Sequence, residues 1–283
     1  WAYGQTAALD DLLAEATPPA GTPAGRTASR PDVGRRAPAG GLRIRALGEA
    51  SVHCGERLLA PADWGWAKPR ELLFLLVSSP PRSKADIGLA LWPDLDAQQL
   101  RNAFHTALRD LRRALGDPSW VVFSAGRYTI DRSRDHWCDL EIFEEALAAA
   151  RQARPAAAAL PHLQRAISAY GGEFGAGLPD AEWLQQRRAG LGRAFSKALA
   201  ATGRLLISGG RPREAVGVCR RAAGHDPLDE AAHRQLMTAL VRSGEAGQAA
   251  QVYQQLADRL HTELGIAPAA ETRAVYQQLR QAR

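Results

Sequence analysis

Residues 96–115 carry the pattern that most restricts the fold of this chain. Large apolar residues recur there at spacings of four, four, three and four, at Leu100, Phe104, Leu108, Leu111 and Leu115. Residues at these spacings share one side of an α-helix, so the segment predicts a helix with one buried side. Gly116-Asp117-Pro118 predicts its end, because glycine favours the position after a helix and proline cannot continue one.

The opposite side of the same helix is polar and basic. It carries amides, guanidiniums, an imidazole and a hydroxyl, from Gln98, Gln99, Arg101, Asn102, His105, Thr106, Arg109, Arg112 and Arg113. Residues 97–116 hold four Arg and one Asp, a net charge of +3. Guanidinium and amide groups match the guanine and adenine edges in the major groove of DNA. A solvent-exposed helix without a partner carries similar charges, so this side alone does not distinguish a DNA-binding helix from an ordinary surface helix.

The segments around this helix favour DNA binding. Residues 42–47 alternate apolar and basic side chains, and residues 52–59 follow with Gly55 at a turn, which predicts a small antiparallel sheet. Helical spacing begins after Pro69 and again after Ser83, where Asp86 completes a capping box. Residues 120–130 predict a β-hairpin that turns at Ser124-Ala125-Gly126. Strands, three helices and a hairpin are the order of a winged helix-turn-helix.

The net charge becomes informative only when it is placed along the chain. A formal charge of +6 on 283 residues is weak evidence for a nucleic-acid partner. Residues 41–134 hold 14 Lys and Arg against 10 Asp and Glu, a net charge of +4. Most of the excess charge therefore lies in the predicted winged helix, and the rest of the chain is nearly neutral.

The second half of the chain predicts helices throughout. Apolar spacings of three and four cover residues 140–281, with breaks at Pro155, Gly171-Gly172, Gly209-Gly210, Asp226-Pro227, Gly244 and Pro268. Gly210 and Gly244, Ala215 and Ala249, and Val218 and Val252 are each 34 residues apart. This is the tetratricopeptide period, so we predict about three stacked helix pairs.

The chain has no pattern that indicates catalysis or metal binding. It lacks a phosphate loop, a dinucleotide-binding glycine motif and a nucleophile elbow, and the glycine-rich residues 171–177 follow no predicted strand. The seven His and three Cys form no cluster at metal-ligand spacing, and three dispersed Cys suit a reducing cytosol. We therefore predict no catalytic residue, no metal site, no cofactor and no enzymatic activity.

Composition divides the chain into three parts. Residues 1–40 predict a short helix around Leu9, Leu12 and Leu13 and then a linker rich in Pro, Gly and Ala. Residues 41–134 predict the winged-helix domain, and residues 135–283 predict the helical repeat domain. No apolar run is long enough to span a bilayer, so we expect a cytoplasmic protein without a membrane contact. The chain begins at Trp1 rather than Met, and we expect a trimmed chain or part of a longer one.

Several of these segments resemble the Streptomyces antibiotic regulatory protein family. The matching stretches are Leu91-Trp92-Pro93, Arg101-Asn102-Ala103-Phe104-His105, residues 108–116, Gly126-Arg127-Tyr128, Asp139-Leu140, residues 226–237 and residues 263–268. In that family an OmpR-type winged helix precedes a tetratricopeptide-like bacterial transcriptional activator domain. The fold expected here is thus mainly α with a small β component, a winged helix-turn-helix followed by helical repeats.

The resemblance also implies a function and a set of DNA contacts. It implies a transcriptional activator that binds promoter repeats in double-stranded DNA as a homodimer and recruits RNA polymerase through sigma or another subunit. The implied recognition-helix residues are Arg101, Asn102, His105, Arg109 and Arg113, and Gln99, Thr106 and Arg112 share their polar side. Arg127 is the implied contact of the wing, and Lys84 is the implied phosphate contact at the start of the second helix.

One alternative remains open from the residues. A net charge of +4 is modest for a DNA-binding domain. The chain could instead be a non-enzymatic, repeat-based interaction or sensor module whose winged helix mediates protein contacts. A measurement of DNA affinity at several salt concentrations distinguishes the activator from the interaction module. Only DNA binding releases condensed counterions, so only the activator should lose affinity steeply as salt rises.

Overall fold

The computed structural model of this protein describes residues 41–281. The N-terminal extension and linker predicted over residues 1–40 lie outside the described residues. The strands are β1 (Leu42–Arg45), β2 (Ser51–Cys54), β3 (Arg57–Leu58), β4 (Arg82–Ser83), β5 (Val121–Ser124), β6 (Arg127–Ile130) and β7 (His136–Cys138). Short 3-10 turns occupy Pro118–Trp120 and Ala156–Ala159.

Helices make up most of the described chain. They are α1 (Pro61–Trp64), α2 (Ala67–Val77), α3 (Lys84–Leu91), α4 (Ala97–Leu115), α5 (Asp139–Gln152), α6 (Leu160–Ala169), α7 (Glu182–Ser208), α8 (Pro212–His225), α9 (Glu230–Arg242), α10 (Ala246–Leu264) and α11 (Ala270–Gln281). The predicted fold class, a winged helix followed by tetratricopeptide-like repeats, is confirmed. None of the helices within residues 41–281 is both long and apolar enough to cross a membrane.

The described residues form two compact units. Residues 41–144 and 169–191 form the first, which we call the winged-helix unit. Residues 145–168 and 192–281 form the second, which we call the helical unit. The winged-helix unit continues past residue 134, where the sequence placed a domain boundary. We therefore propose that a fragment meant to fold as the winged helix must include residues 135–144 and 169–191.

Two small sheets frame the winged-helix unit. The first has the strand order β3-β2-β1-β7, in which β1 pairs antiparallel with β2 and parallel with β7. The second has the order β4-β6-β5 and contains the predicted hairpin. The sequence did not predict β7, which is only three residues long and lies beyond the expected domain boundary.

The core of this unit lies between α2, α4 and the hairpin. Every residue from Leu72 to Val77 is almost fully buried in α2, and α2 packs against α4. Phe104 and Leu111 on the apolar side of α4 are 0% exposed, and the Phe104 ring meets Tyr128 of β6 at 4.9 Å, edge to face. Each such side chain contributes about 2 kcal/mol by burial, so the apolar side of α4 is firmly held inward.

Residues beyond 134 pack against the end of β1 in the first sheet. The buried Asp139 carboxylate accepts hydrogen bonds from the amides of Ala46 and Leu47, at 2.7 and 3.1 Å, just beyond β1. The glycine-rich residues 171–177 lie along the same segment, where Leu47 bridges Phe174. A Cβ at Gly171 would stand 2.7 Å from the Leu47 carbonyl oxygen, so a larger residue does not fit there. Burial raises the pKa of Asp139 more than these hydrogen bonds lower it.

The helical unit repeats at the level of individual hydrogen bonds. The amide of Arg211 bonds the Leu206 carbonyl at 2.9 Å, and 34 residues later Glu245 bonds Leu240 at 2.8 Å. Both bonds close a helix end that turns through a glycine in the left-handed region, Gly210 at φ 72° and Gly244 at φ 88°. Ala215 and Ala249 are both 0% exposed, and α9 packs against α8, α10 and α11. The 34-residue period predicted from the sequence is confirmed.

Replacing Gly244 by alanine should destabilise the protein by about 1 kcal/mol, because an L side chain is strained at positive φ. A Cβ at this site meets nothing within 4 Å, so backbone strain is the whole effect. Gly217→Ala is the matched control: Gly217 lies exposed inside α8, and its replacement should stabilise by about 0.5–1 kcal/mol. Urea unfolding measures both, and a Gly244→Ala variant as stable as Gly217→Ala would contradict the assigned helix end.

Stability should depend on pH through His136. Its Nε2 lies 2.7 Å from the Glu141 carboxylate, and this hydrogen bond, helped by the Arg134 carbonyl, raises the His136 pKa against the opposing effect of burial. The stabilisation is therefore complete below the unfolded pKa of about 6.5 and is lost as pH rises through the folded pKa. Comparison of the parent with His136→Gln from pH 6 to 9 should show the stability difference shrinking. A constant difference would contradict the assignment.

Candidate nucleic-acid interface

The start of α4 is fixed by its own side chains. The Asp96 carboxylate accepts hydrogen bonds from the amides of Gln98 and Gln99, at 2.9 and 2.8 Å. The Gln99 side-chain oxygen accepts one from the Asp96 amide at 3.3 Å, which completes a capping box. Gly116 ends the helix in the left-handed conformation. Gln99, a predicted DNA contact, thus already has a structural role.

The polar face of α4, defined as the nine residues that the sequence placed opposite the apolar side, is mostly exposed. Gln98, Gln99, Arg101, Asn102, His105, Arg109 and Arg113 are exposed, whereas Thr106 and Arg112 are half-buried. Gln98 donates a hydrogen bond of 3.5 Å to Asn102. Among the described residues none pairs with the Arg101 side chain. The face therefore presents amides and guanidiniums to solvent along the length of α4.

Asp110 lies within this basic helix as its single acidic residue. Its Oδ1 accepts a hydrogen bond from Arg109 Nε at 3.2 Å and lies 3.4 Å from Arg113, while its Oδ2 accepts one from Trp66 Nε1 at 3.1 Å. Asp110 is 5% exposed, and the Arg109 and Arg113 side chains are 70% and 64% exposed. Burial alone would raise the Asp110 pKa, but the bonds from Trp66 and Arg109 and the two arginine charges together lower it.

Arg112 ties α4 to the hairpin. Its guanidinium donates a hydrogen bond of 2.9 Å to the Val121 carbonyl at the start of β5. The Arg112 Nε is buried and has no partner in the described part of the chain. Although predicted as a DNA contact, Arg112 points part of its side chain into the protein and holds the hairpin against α4.

The hairpin turns through two residues at positive φ, Ala125 at 48° and Gly126 at 76°. This two-residue turn matches the twist of the flanking strands. Arg127 follows the turn, and its guanidinium donates to the Pro81 carbonyl at 3.1 Å and lies 3.9 Å from Asp86. The Arg127 side chain is still 56% exposed. The predicted wing arginine therefore lies at the tip of the hairpin and is anchored beside the start of α3.

Lys84 is the first residue of α3 and is half-buried. The preceding Ser83 caps the helix: its hydroxyl accepts from the Asp86 amide at 3.1 Å, and the Asp86 carboxylate accepts from Ser83, as the sequence predicted. The Ser83 hydrogen bonds, with charges from Arg127 and Arg82, lower the Asp86 pKa. No described residue pairs with the Lys84 side chain, so its ammonium is available to an anion.

The predicted residues all lie on α4, on the start of α3 and on the hairpin of one unit, with different local roles. Sequence reasoning missed Asp110 and its partner Trp66, which is 44 positions away along the chain. The available signal was one acid within a run of arginines. Within residues 41–281 no group of His, Cys, Asp or Glu is placed to hold a metal ion.

Comparison with known proteins identifies the family. Residues 138–280 match the bacterial transcriptional activator domain. The chain is 30% identical over 249 residues to the regulatory protein AfsR of Streptomyces coelicolor, an alignment that covers 86% of this chain and 24% of AfsR. The chain thus spans about a quarter of the length of that relative.

A solved structure has a similar fold. Mycobacterium tuberculosis EmbR, in complex with a low-affinity phosphopeptide, superimposes with a TM-score of 0.67 at 23% identity, covering 86% of this chain and 65% of EmbR. The winged helix, the helical repeats and the activator domain agree with the resemblance found in the sequence. This chain belongs to the bacterial transcriptional activator domain family.

Proposed function

We propose that this chain is a transcriptional regulator of the Streptomyces antibiotic regulatory protein type, a sequence-specific DNA-binding activator in which α4 enters the major groove. The observation that carries the proposal is the exposed polar face of α4, whose opposite side is buried against α2 and the hairpin. An α-helix fits the width of the major groove, and forked guanidinium and amide groups read base edges there. A protein that acts on chromosomal DNA works in the cytoplasm of a bacterium, as we expect here.

The hydrogen bonds of the predicted contact residues divide them into base contacts, positioning residues and phosphate contacts. Arg101, Asn102, His105, Thr106, Arg109 and Arg113 are proposed to face the bases and adjacent phosphates. Gln99 and Arg112 are proposed to position α4 and the hairpin, because each already bonds within the protein. Lys84 and Arg127 are proposed to contact phosphates on either side, which sets the register of α4 without reading sequence.

A homodimer on promoter repeats is the proposed binding form. Each winged-helix unit offers one recognition helix, so two repeats require two copies of the chain. Recruitment of RNA polymerase is the proposed second step, and two exposed leucines close to an acidic residue support it. Leu89 of α3 is 73% exposed, and Leu95 is 37% exposed on the loop after α3, where Asp94 is also exposed. Exposed apolar side chains that lie together can bind a protein partner, whereas they add nothing to contacts with DNA phosphates.

Arg109→Ala should remove one base contact and cost about 1–3 kcal/mol of binding to the preferred sequence, if the contact is bidentate. Lys84→Ala should instead weaken binding to all sequences and make the slope of log K against log salt shallower by about 0.9. Fluorescence titration at several salt concentrations measures both effects.

The matched control for these two variants is Arg213→Ala, which removes one exposed charge from α8 of the helical unit. It should bind like the parent. If Arg109→Ala and Lys84→Ala also bind like the parent, the placement of α4 is wrong. A parent without salt-dependent DNA binding would favour the interaction-module alternative.

Leu89→Gln should separate DNA binding from activation. Because Leu89 is largely exposed, the substitution should leave folding and DNA affinity unchanged within about twofold. Transcription from the bound promoter in a reconstituted assay should fall several-fold if this surface contacts the polymerase. Unchanged transcription would exclude the Leu89 surface as the recruitment site.

A further inference from the structure

A buried carboxylate lies beneath the arginines that are proposed to face DNA. Asp110 Oδ1 serves both arginines, with Arg109 Nε and Nη2 each at 3.2 Å and Arg113 Nη2 at 3.4 Å. Oδ2 serves Trp66 at 3.1 Å. The two carboxylate oxygens thus have separate partners, and neither the sequence prediction nor the family match gives Asp110 a role.

The contact leaves the reading edge of Arg109 free. A guanidinium has five N–H donors. The Arg109 Nε–H donates to Asp110 Oδ1, and Nη2 lies 3.2 Å from the same oxygen. No described residue accepts a hydrogen bond from Nη1 or Nη2, and the side chain is 70% exposed. These outer donors are the pair that a bidentate contact to guanine uses. Asp110 therefore fixes the inner edge of the guanidinium and leaves its outer edge available.

The same carboxylate offsets positive charge at the DNA surface. The pKa of Asp110 is below its usual range, so the group is an anion in neutral solution. One negative charge beside Arg109 and Arg113 reduces their attraction for phosphates, which is the same for every sequence. The contact of an oriented guanidinium with a base is weakened less, because its strength depends on the direction of its hydrogen bonds as well as on charge. Specificity is the difference between the binding free energies for the preferred sequence and for other sequences, and it therefore increases.

We propose that Asp110, held by Trp66, is a positioning residue that orients Arg109 and Arg113 for base contacts and suppresses their binding to non-cognate DNA. The proposal rests on the proposed DNA-binding function. It gives Trp66, the residue directly before α2, a role in specificity without any contact between Trp66 and DNA.

Asp110→Asn tests the proposal with little change in volume. An amide has one acceptor oxygen where the carboxylate has two, so it cannot serve both Trp66 and the arginines. The probes are the duplex that the parent protein enriches from a random-sequence library and a mixed-sequence duplex. Asp110→Asn should bind the mixed duplex more tightly, with a salt slope steeper by about 0.9. The ratio of the two affinities should fall roughly tenfold.

Two further variants separate orientation from charge. Trp66→Phe keeps the Asp110 charge and removes its indole partner, so it should lower the affinity ratio without steepening the salt slope. Glu56→Gln removes one exposed acidic charge from the turn between β2 and β3 of the same unit, and should leave the ratio unchanged. The thermal unfolding midpoint of each variant, measured in parallel, reports whether the fold is retained.

A role of Asp110 in specificity and DNA binding by the chain are tested by different results. If Asp110→Asn keeps the parent's affinity ratio, or if both of its affinities fall together, Asp110 has no positioning role and the inference is wrong. The DNA-binding function would survive that result. A parent protein that binds neither duplex in a salt-dependent way would overturn the proposed function and the inference together.

Discussion

The burial of one side of α4 is the constraint on which the rest of the winged-helix unit depends. Phe104 and Leu111 are held among α2 and the hairpin, so the helix cannot rotate about its axis without exposing them to water. Each exposed side chain of that size costs about 2 kcal/mol. The direction of the opposite, basic side is thereby fixed. Arg112, bonded to Val121, fixes the distance between α4 and the hairpin in the same way.

A second constraint joins the first sheet to residues far along the chain. The Asp139 carboxylate accepts hydrogen bonds from the backbone amides of Ala46 and Leu47. Without it these amides would be buried without a partner at the end of β1. The parallel strand β7 and the loop around Phe174 lie against the same segment. The compact winged-helix unit therefore includes contacts with residues beyond 134.

The electrostatic character of the chain also follows from where its charges pair. Arg109 and Arg113 share one buried carboxylate, whereas no described residue pairs with Arg101 or Lys84. The four arginines of residues 97–116 therefore differ: two contact the carboxylate, Arg112 bonds a backbone carbonyl and Arg101 has no described partner. This arrangement suits a surface that combines attraction for phosphates with directed contacts to bases.

Periodicity in the sequence determined the helices, the hairpin and the 34-residue repeat, because each depends on side chains a few positions apart or on a repeated local turn such as Gly210 and Gly244. It also determined which face of α4 is polar. Only the tertiary structure decided that β7 joins β1, that Asp139 closes the first sheet and that Trp66 meets Asp110. These contacts join residues from 44 to more than 90 positions apart, and no local pattern encodes a partner at that distance.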